Sequence, residues 1–474
     1  MDKMGDALKR GAVTRFPRLS IKIITSNINK SIPYVYRQKY IELLSSNEHV
    51  FSADEFDHGW SDVVTHEMHF DNKGTCFTPQ FRLSAEHLEF LRNSVVGWLK
   101  AGIIQRSRSL HNSPIFCVSK KQPGLLRPVL DYRRINSRCA DDRYSIRTPD
   151  QCFEVLGKSG ATIFSSLDLR NSYWQMALRE GDRPLTAFTL PGSGQFSWIS
   201  CPQGLMGAPA SFSRLMERIM EGAHEILTFI DDALIFSRDH ASHLSSLQDA
   251  LQRLSRANLR LNPSKCFWGA DRCEYLGAEI SAHGQKPGMD KVSAVRDTEP
   301  PTTLRGLKSA CGLFNYFRSY IYMYSTKAAP LNHLTRQTSG FKKGPLPSDA
   351  LFAFENLKKE ITSRPILAFP HPSRPFHLYV DAAQGDEKNA GGLGAALLQE
   401  QEDGSKRPVI FASRLLSPAE SKYPVTLSKW LACVFGMDKF DHYLRGKRFH
   451  VYSDHKPLAR PFENLSKVHI RTLH

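Results

Sequence analysis

The chain has 474 residues, room for roughly three domains, and its 41% hydrophobic and 10% aromatic content can fill packed interiors, which excludes a disordered tail. Lys and Arg number 63 against 47 Asp and Glu, a net charge of +16 that favours a polyanionic partner such as nucleic acid. Nine cysteines without a CxxC pair argue against a disulfide framework or a structural zinc site, and no apolar run reaches the roughly 20 residues that span a bilayer.

The first 75 or so residues show weak, mixed periodicity and are read only as an N-terminal extension or linker, 1–77. Its polar, basic start lacks the apolar core of a signal peptide, so an intracellular protein is expected. THEMHF offers His66, Glu67 and His69, but a metalloprotease helix spaces its histidines four apart, and this stretch is strand-like. From Ser84, SAEHLEFLRNSVVGWLKAG predicts a helix: Leu88, Leu91, Val95, Trp98 and Leu99 recur at three- and four-residue spacing, Ser84 is placed to cap it, and Gly102 marks its end.

SPIFCVSKK and LLRPVLDY predict strands joined by the turn residues Gln122, Pro123 and Gly124, a hairpin presenting basic side chains. Residues 120–147 concentrate Lys120, Lys121, Arg127, Arg133, Arg134, Arg138, Arg143 and Arg147 against three Asp. TIFSSLDL and EILTFIDDALIFS are strand-like, the second being two apolar runs broken by paired Asp. A helix, HASHLSSLQDALQRLSRANLRL, and one short strand, CEYLGAEIS, come next.

After Pro300 and Pro301, the residues Leu304, Leu307, Cys311, Phe314, Arg318 and Ile321 trace a helical stripe. Pro370, Pro372 and Pro375 mark a boundary before strands FHLYVDA, GGLGAALLQ and RPVIFASR, a helix around TLSKWLACVFGMDKFDHYL, and a strand FHVYSD. The glycines of NAGGLGAALL are read as a turn between the first two of these strands rather than as a dinucleotide loop.

Asp231 and Asp232, taken alone, fit an ordinary hairpin turn. Phosphoryl transfer by two metal ions needs a third carboxylate, and Asp168 at the end of TIFSSLDL supplies one where a charge is costly unless a cation offsets it. SSLDLRNSYWQ, CPQGLMGAPASF, FIDDALIFS, LNPSKC and YLGAEIS follow in the order of reverse transcriptase palm motifs. With DRYSIRTPD and YSDHKPL, they make the chain from about Thr78 resemble the polymerase and adjoining ribonuclease H region of gypsy-type LTR retrotransposons.

The resemblance implies an α+β fold: a right-hand polymerase with fingers, palm, thumb and connection, followed by a ribonuclease H-like α/β domain cut short at its C-terminus. Fingers and palm would span 78–285, thumb and connection 286–372, and the ribonuclease H-like domain 373–474. Two Mg²⁺ ions, with Mn²⁺ as a substitute, are expected at Asp168 and Asp231, with Asp232 the weaker ligand. By the same resemblance Lys120 and Arg127 face the incoming triphosphate, and Tyr173 stands under the sugar and rejects a ribose 2′-hydroxyl. Gln203 and Gly204 line the nucleotide pocket, Gln203 standing where many family members carry an aromatic residue. Lys265 in LNPSKC is a candidate to protonate departing pyrophosphate, with an ordinary surface lysine as the alternative, and Tyr275, Leu276 and Gly277 match the family's primer grip.

A ribonuclease H site normally holds two metals with four carboxylates. Asp381 and Asp454 match the first and third, Lys429 stands where the family has glutamate, and the fourth acid would fall beyond His474. This domain is therefore expected to bind hybrid without cutting it. Neither an aspartic-protease DTG or DSG triplet nor an integrase His/Cys cluster is present in the sequence.

The expected activity is RNA- and DNA-templated DNA synthesis, with an RNA template, a DNA primer and product, RNA:DNA hybrid and deoxynucleoside triphosphates as partners, no membrane, and dimerisation left open. The expected location is a cytoplasmic retroelement particle with access to the nucleus. A degenerate remnant that binds nucleic acid without turnover is the alternative. A dedicated nuclease is the weakest reading, since its acids are the ones missing.

Overall fold

The computed structural model describes residues 21–54, 56–71, 73–119, 124–363, 365–385 and 391–454. They fall into two compact units, 21–152 with 161–273, and 153–160 with 274–454.

The first unit begins with residues that the sequence leaves without a clear pattern. Helix α1 (Tyr34–Ser46) packs on a later helix, and Ile24, Ile28, Ile32, Tyr40 and Leu44 join the unit's main core. Segment 21–77 is thus built into this unit rather than strung ahead of it. Its regular elements before α1 are short, with a helix of five residues over Ile21–Thr25, and Trp268 Nε1 donates to the Ile24 carbonyl at 2.9 Å. Helix α2 (Ala85–Lys100) forms as predicted, with the Ser84 side chain accepting from His87 N and Leu91, Val95 and Trp98 buried. Trp98 packs with Trp174, Trp198 and Phe188. Fully burying each such ring contributes roughly 2–3 kcal/mol.

Strands β1 (Ile115–Ser119) and β2 (Leu126–Leu130) pair antiparallel, Ile115 opposite Leu130, with Gly124 at φ +80° in their connection. The central sheet has four strands in the order β6-β3-β5-β4, every neighbour antiparallel: β3 (Ile163–Asp168), β4 (Ile226–Phe229), β5 (Asp232–Ser237) and β6 (Phe267–Ala270). Helix α3 (Ala208–Ile219) lies beside β4, and α4 (His240–Arg256), capped by Asp239 and burying Leu247, Leu251 and Leu254, covers β3 and β5.

The second unit opens with a meander, and here CEYLGAEIS differs from the expected single strand. It is two strands, Arg272–Tyr275 and Ala278–Ser281, broken by Leu276 and Gly277 at φ +51° and +76°. Two consecutive left-handed residues make a two-residue hairpin turn whose twist matches its strands, and only Gly277 signals it in the sequence. Helices α5 (Met289–Arg296), α6 (Leu304–Asn315) and α7 (Ser348–Thr362) share a core of Val295, Leu307, Phe314, Phe354 and Leu357. A second four-stranded sheet follows in the order β9-β8-β7-β10: β7 (Phe376–Ala383), β8 (Gly392–Glu400), β9 (Lys406–Leu415) and β10 (Phe449–Tyr452), with β10 parallel to β7. Helix α8 (Val425–Lys439) packs on β7 and β8. Gly392 and Gly394 lie inside β8, not in the turn expected for them.

Candidate active site

Strand register builds the acidic site. Asp232 is the direct partner of Asp168 across β5 and β3, and of Phe229 across β5 and β4. Only Ile230 and Asp231 separate β4 from β5, so the turn is tight and Ile230 is driven to φ +55°. A β-branched residue there costs on the order of 1–3 kcal/mol, held in place by the ladders on both sides. Three carboxylates therefore meet at one end of one sheet.

Their surroundings differ. Asp168 receives Asn262 N on its carbonyl at 2.8 Å and lies 3.5 Å from Lys265 Nζ through Oδ2. Burial raises its carboxyl above the usual range, Lys265 opposes that, and Asp231 adds to it. Asp231 accepts from Ser172 Oγ at 3.1 Å. Asp232 is pushed up to about 6 by desolvation and then by the charges of Asp231 and Asp168.

Among the described residues, no three Asp, Glu, His or Cys side chains converge to metal-holding distance as they stand. Asp168 leans to Lys265 and Asp231 to Ser172. The donor set still fits hard divalent cations: oxygen ligands only, and burial, with the neighbouring charges adding to it, makes Asp168 and Asp232 hold protons more tightly than a free carboxylate.

Tyr173 sits in the 3₁₀ turn after β3, its ring edge-on to Phe212 at 5.5 Å, and burial followed by the Asp231 charge pushes its hydroxyl up to about 12. Arg127 on β2 donates to Gln203 Oε1, which joins two of the expected pocket residues. Gly204 is at φ +96°, the left-handed region where glycine carries no Cβ penalty, and Asn136 Nδ2 donates to its carbonyl at 2.8 Å. Lys120 lies outside the described residues, as does Lys121.

Several supporting residues escaped the sequence reading. Ser172, Asn262 and Cys266 hold the Asp231 and Asp168 ends of the site, the Cys266 thiol accepting from Asp168 N at 3.4 Å. Asn136 clamps the 204–206 turn, and Asn27 Nδ2 donates to the Ser264 and Cys266 carbonyls at 3.2 and 2.9 Å, bracketing Lys265. Asn262, Cys266 and Lys265 share the fragment LNPSKC, which signals only the lysine; nothing local marks Asn27.

Tyr275, Leu276 and Gly277 belong to the other unit. Tyr275 is buried, and Tyr316 Oη donates to the Gly277 carbonyl at 3.3 Å while Lys291 Nζ lies 3.5 Å from the Tyr316 ring centre.

In the second sheet the structure brings Asp381 and Asp454 together, with Lys429 between them. Lys429 Nζ donates to Asp381 Oδ1 at 2.6 Å and to Asp454 Oδ1 and Oδ2 at 2.7 and 2.8 Å, and the lysine is 7% exposed. His66, set aside above, is buried with Nδ1 on Ser211 Oγ at 2.9 Å, and burial lowers it to about 4.

A family model for reverse transcriptase (RNA-dependent DNA polymerase) matches residues 118–280, and one for an RNase H-like domain found in reverse transcriptase matches 348–451. The chain is 35% identical over 376 residues to the retrovirus-related Pol polyprotein from transposon opus of Drosophila melanogaster, covering 76% of this chain and 36% of that one. Against the Pol polyprotein from transposon gypsy of the same fly the identity is 32% over 388 residues, 78% of this chain and 36% of the relative. The chain thus spans about a third of the length of these curated relatives. A foamy viral protease-reverse transcriptase solved in complex with dsDNA has a similar fold, with a TM-score of 0.83 at 20% identity over 96% of this chain and 92% of that one.

Proposed function

The chain belongs to the reverse transcriptase family of LTR-retrotransposon Pol polyproteins, and on that premise we propose that it extends a primer with deoxynucleotides on an RNA or DNA template. The observation that carries this reading is the register pair Asp168 and Asp232 beside Asp231. Asp168 and Asp231 would hold two divalent ions, Mg²⁺ in the first instance, with Asp232 assisting. Bound there, the ions supply the positive charge that makes the primer hydroxyl a nucleophile and offsets charge on the triphosphate.

The remaining roles fall to the protein itself. Arg127 presents its guanidinium to the triphosphate and is oriented by Gln203. Tyr173, fixed by Phe212, blocks the space of a 2′-hydroxyl. Lys265 keeps a proton at Nζ for the leaving pyrophosphate. The turn at Tyr275–Gly277 positions the primer. The ribonuclease H-like part does not cleave: a metal pair does not fit a site whose centre holds the Lys429 ammonium.

Primer extension on an RNA template with Mg²⁺ and deoxynucleotides tests the polymerase. No product from the wild-type chain defeats it in favour of binding without turnover, the reading that the lost nuclease glutamate supports. Activity persisting in Asp231→Asn defeats the site assignment. Cuts in labelled RNA:DNA hybrid with Mn²⁺ that vanish in Asp381→Asn would defeat the silent nuclease.

A further inference from the structure

The segment leading from α6 towards the second sheet crosses a particular face of it. Asp381 pairs in register with Gly394, and Ala383 with Gly392, so the four positions share one face. A Cβ at Gly394 would overlap Met323 Sδ, and one at Gly392 would lie 2.5 Å from Thr326 Cγ2. The glycines are there because residues 322–326 lie on that face. Ser325 ties the segment to β9, its N donating to Ser413 Oγ and its Oγ to the Ser413 carbonyl, both at 2.9 Å. Lys327 Nζ anchors the far end on Glu360 at 2.6 Å. The Tyr322 ring lies 3.5 Å from where a Cβ at Gly394 would stand, and Gly394 is the register partner of Asp381, the carboxylate that Lys429 holds.

We propose that Lys429 is a built-in counter-cation that closes the acidic site to divalent metal and converts it into a latch holding Tyr322–Lys327 on the sheet. The ammonium has three N–H donors, and the three short bonds to Asp381 and Asp454 use all of them. A divalent ion needs those same oxygens and would have to displace an ammonium whose own side chain is buried. Lys429 fixes the Asp381 carboxylate on the face of the sheet that Tyr322 and Met323 cover. The acid that would carry catalysis in a nuclease instead joins helix α8 to strand β7 beneath the crossing segment. This rests on the reading of the domain as non-cleaving.

The experiment uses the full chain carrying Asp168→Asn, Asp231→Asn and Asp232→Asn, so that the first site takes no metal. Bound Mn²⁺ is counted by electron paramagnetic resonance, and amide exchange is followed across residues 321–328. With Lys429 present, no ion binds over the millimolar range; Lys429→Glu binds Mn²⁺, and adding Asp381→Asn removes it. Lys429→Met speeds exchange in the segment by about tenfold or more, a local opening rather than global unfolding if amides of α7 keep their rates. Gly394→Val, which leaves the charges alone, does the same by displacing Met323. Mn²⁺ bound beside Lys429 and lost in Asp381→Asn would overturn the closed site, and unchanged exchange in both Lys429→Met and Gly394→Val would overturn the latch. Neither readout involves extension or hybrid cleavage, so failure here and failure of the proposed activities are separable.

Discussion

Asp232 stands directly opposite Asp168 in the antiparallel ladder of β5 and β3, and the turn that presents Asp231 begins one residue away. Like charges held in register repel, and the ladder leaves them no room to separate. A cation between them would offset that repulsion, and Lys265 lies 3.5 Å from Asp168.

Removing one carboxylate should cost what a well-held ion contributes. Asp231→Asn is expected to lower the extension rate by about 10³-fold, several kcal/mol of transition-state stabilisation. Ser172→Ala removes only the hydroxyl that orients Asp231 at 3.1 Å, and a loss of roughly tenfold is expected. Single-turnover extension measures both. Equal losses would mean that Ser172 does more than orient.

The crowding also sets a pH dependence for the metal-free protein. Asp232 titrates at about 6 in the fold against 3.8 for a free side chain. Between those values the folded state binds the extra proton, so the favourable contribution is complete below 3.8 and is lost as pH rises through about 6. In EDTA, Asp232→Asn should match the wild type in melting temperature near pH 4 and exceed it at pH 8. A gap that stays constant across that range would show that Asp232 is not crowded.

The sequence made the acidic site legible because its parts are local: FIDD is a turn between two apolar runs, and Asp168 ends a third. The long-range supports were not legible. Asn27 reaches the Lys265 loop across 237 and 239 positions, beyond the range of any local pattern. Gly392 and Gly394 were misplaced for a related reason. A glycine required by an approaching segment looks the same in sequence as one required by a turn.

Asn27 offers a way to measure that long-range support. Asn27→Ala leaves two carbonyls without its amide and should destabilise the first unit by about 1–2 kcal/mol. It should also lower the extension rate more than the affinity for nucleotide if the bracketed Lys265 has the leaving-group role proposed for it. A change confined to KM would place Asn27 in nucleotide binding instead.

Tyr173 packs edge-on against Phe212, and the role proposed for it on the sugar is steric. Tyr173→Ala should reduce discrimination against ribonucleotides by roughly 10–100-fold, the range that one lost steric contact supports. Competition between a ribonucleotide and its deoxy counterpart reads the ratio. Unchanged discrimination would move the gate elsewhere.

Lys429 gives the last expectation a definite pH profile. Its ammonium is held above the ordinary 10.5: burial works against the charge, and the bonds and charges of Asp381 and Asp454 outweigh it. A lysine raised in this way contributes stability that is complete below 10.5 and is lost only as pH climbs through the higher folded value. Lys429→Met should therefore destabilise the second unit by about 1–3 kcal/mol, towards the lower end because the carboxylate partners are 38% and 69% exposed and water screens them. From pH 6 to 9 the loss attributable to the lysine should be flat, shrinking only in strong alkali. A lysine that merely decorated the surface would show no loss.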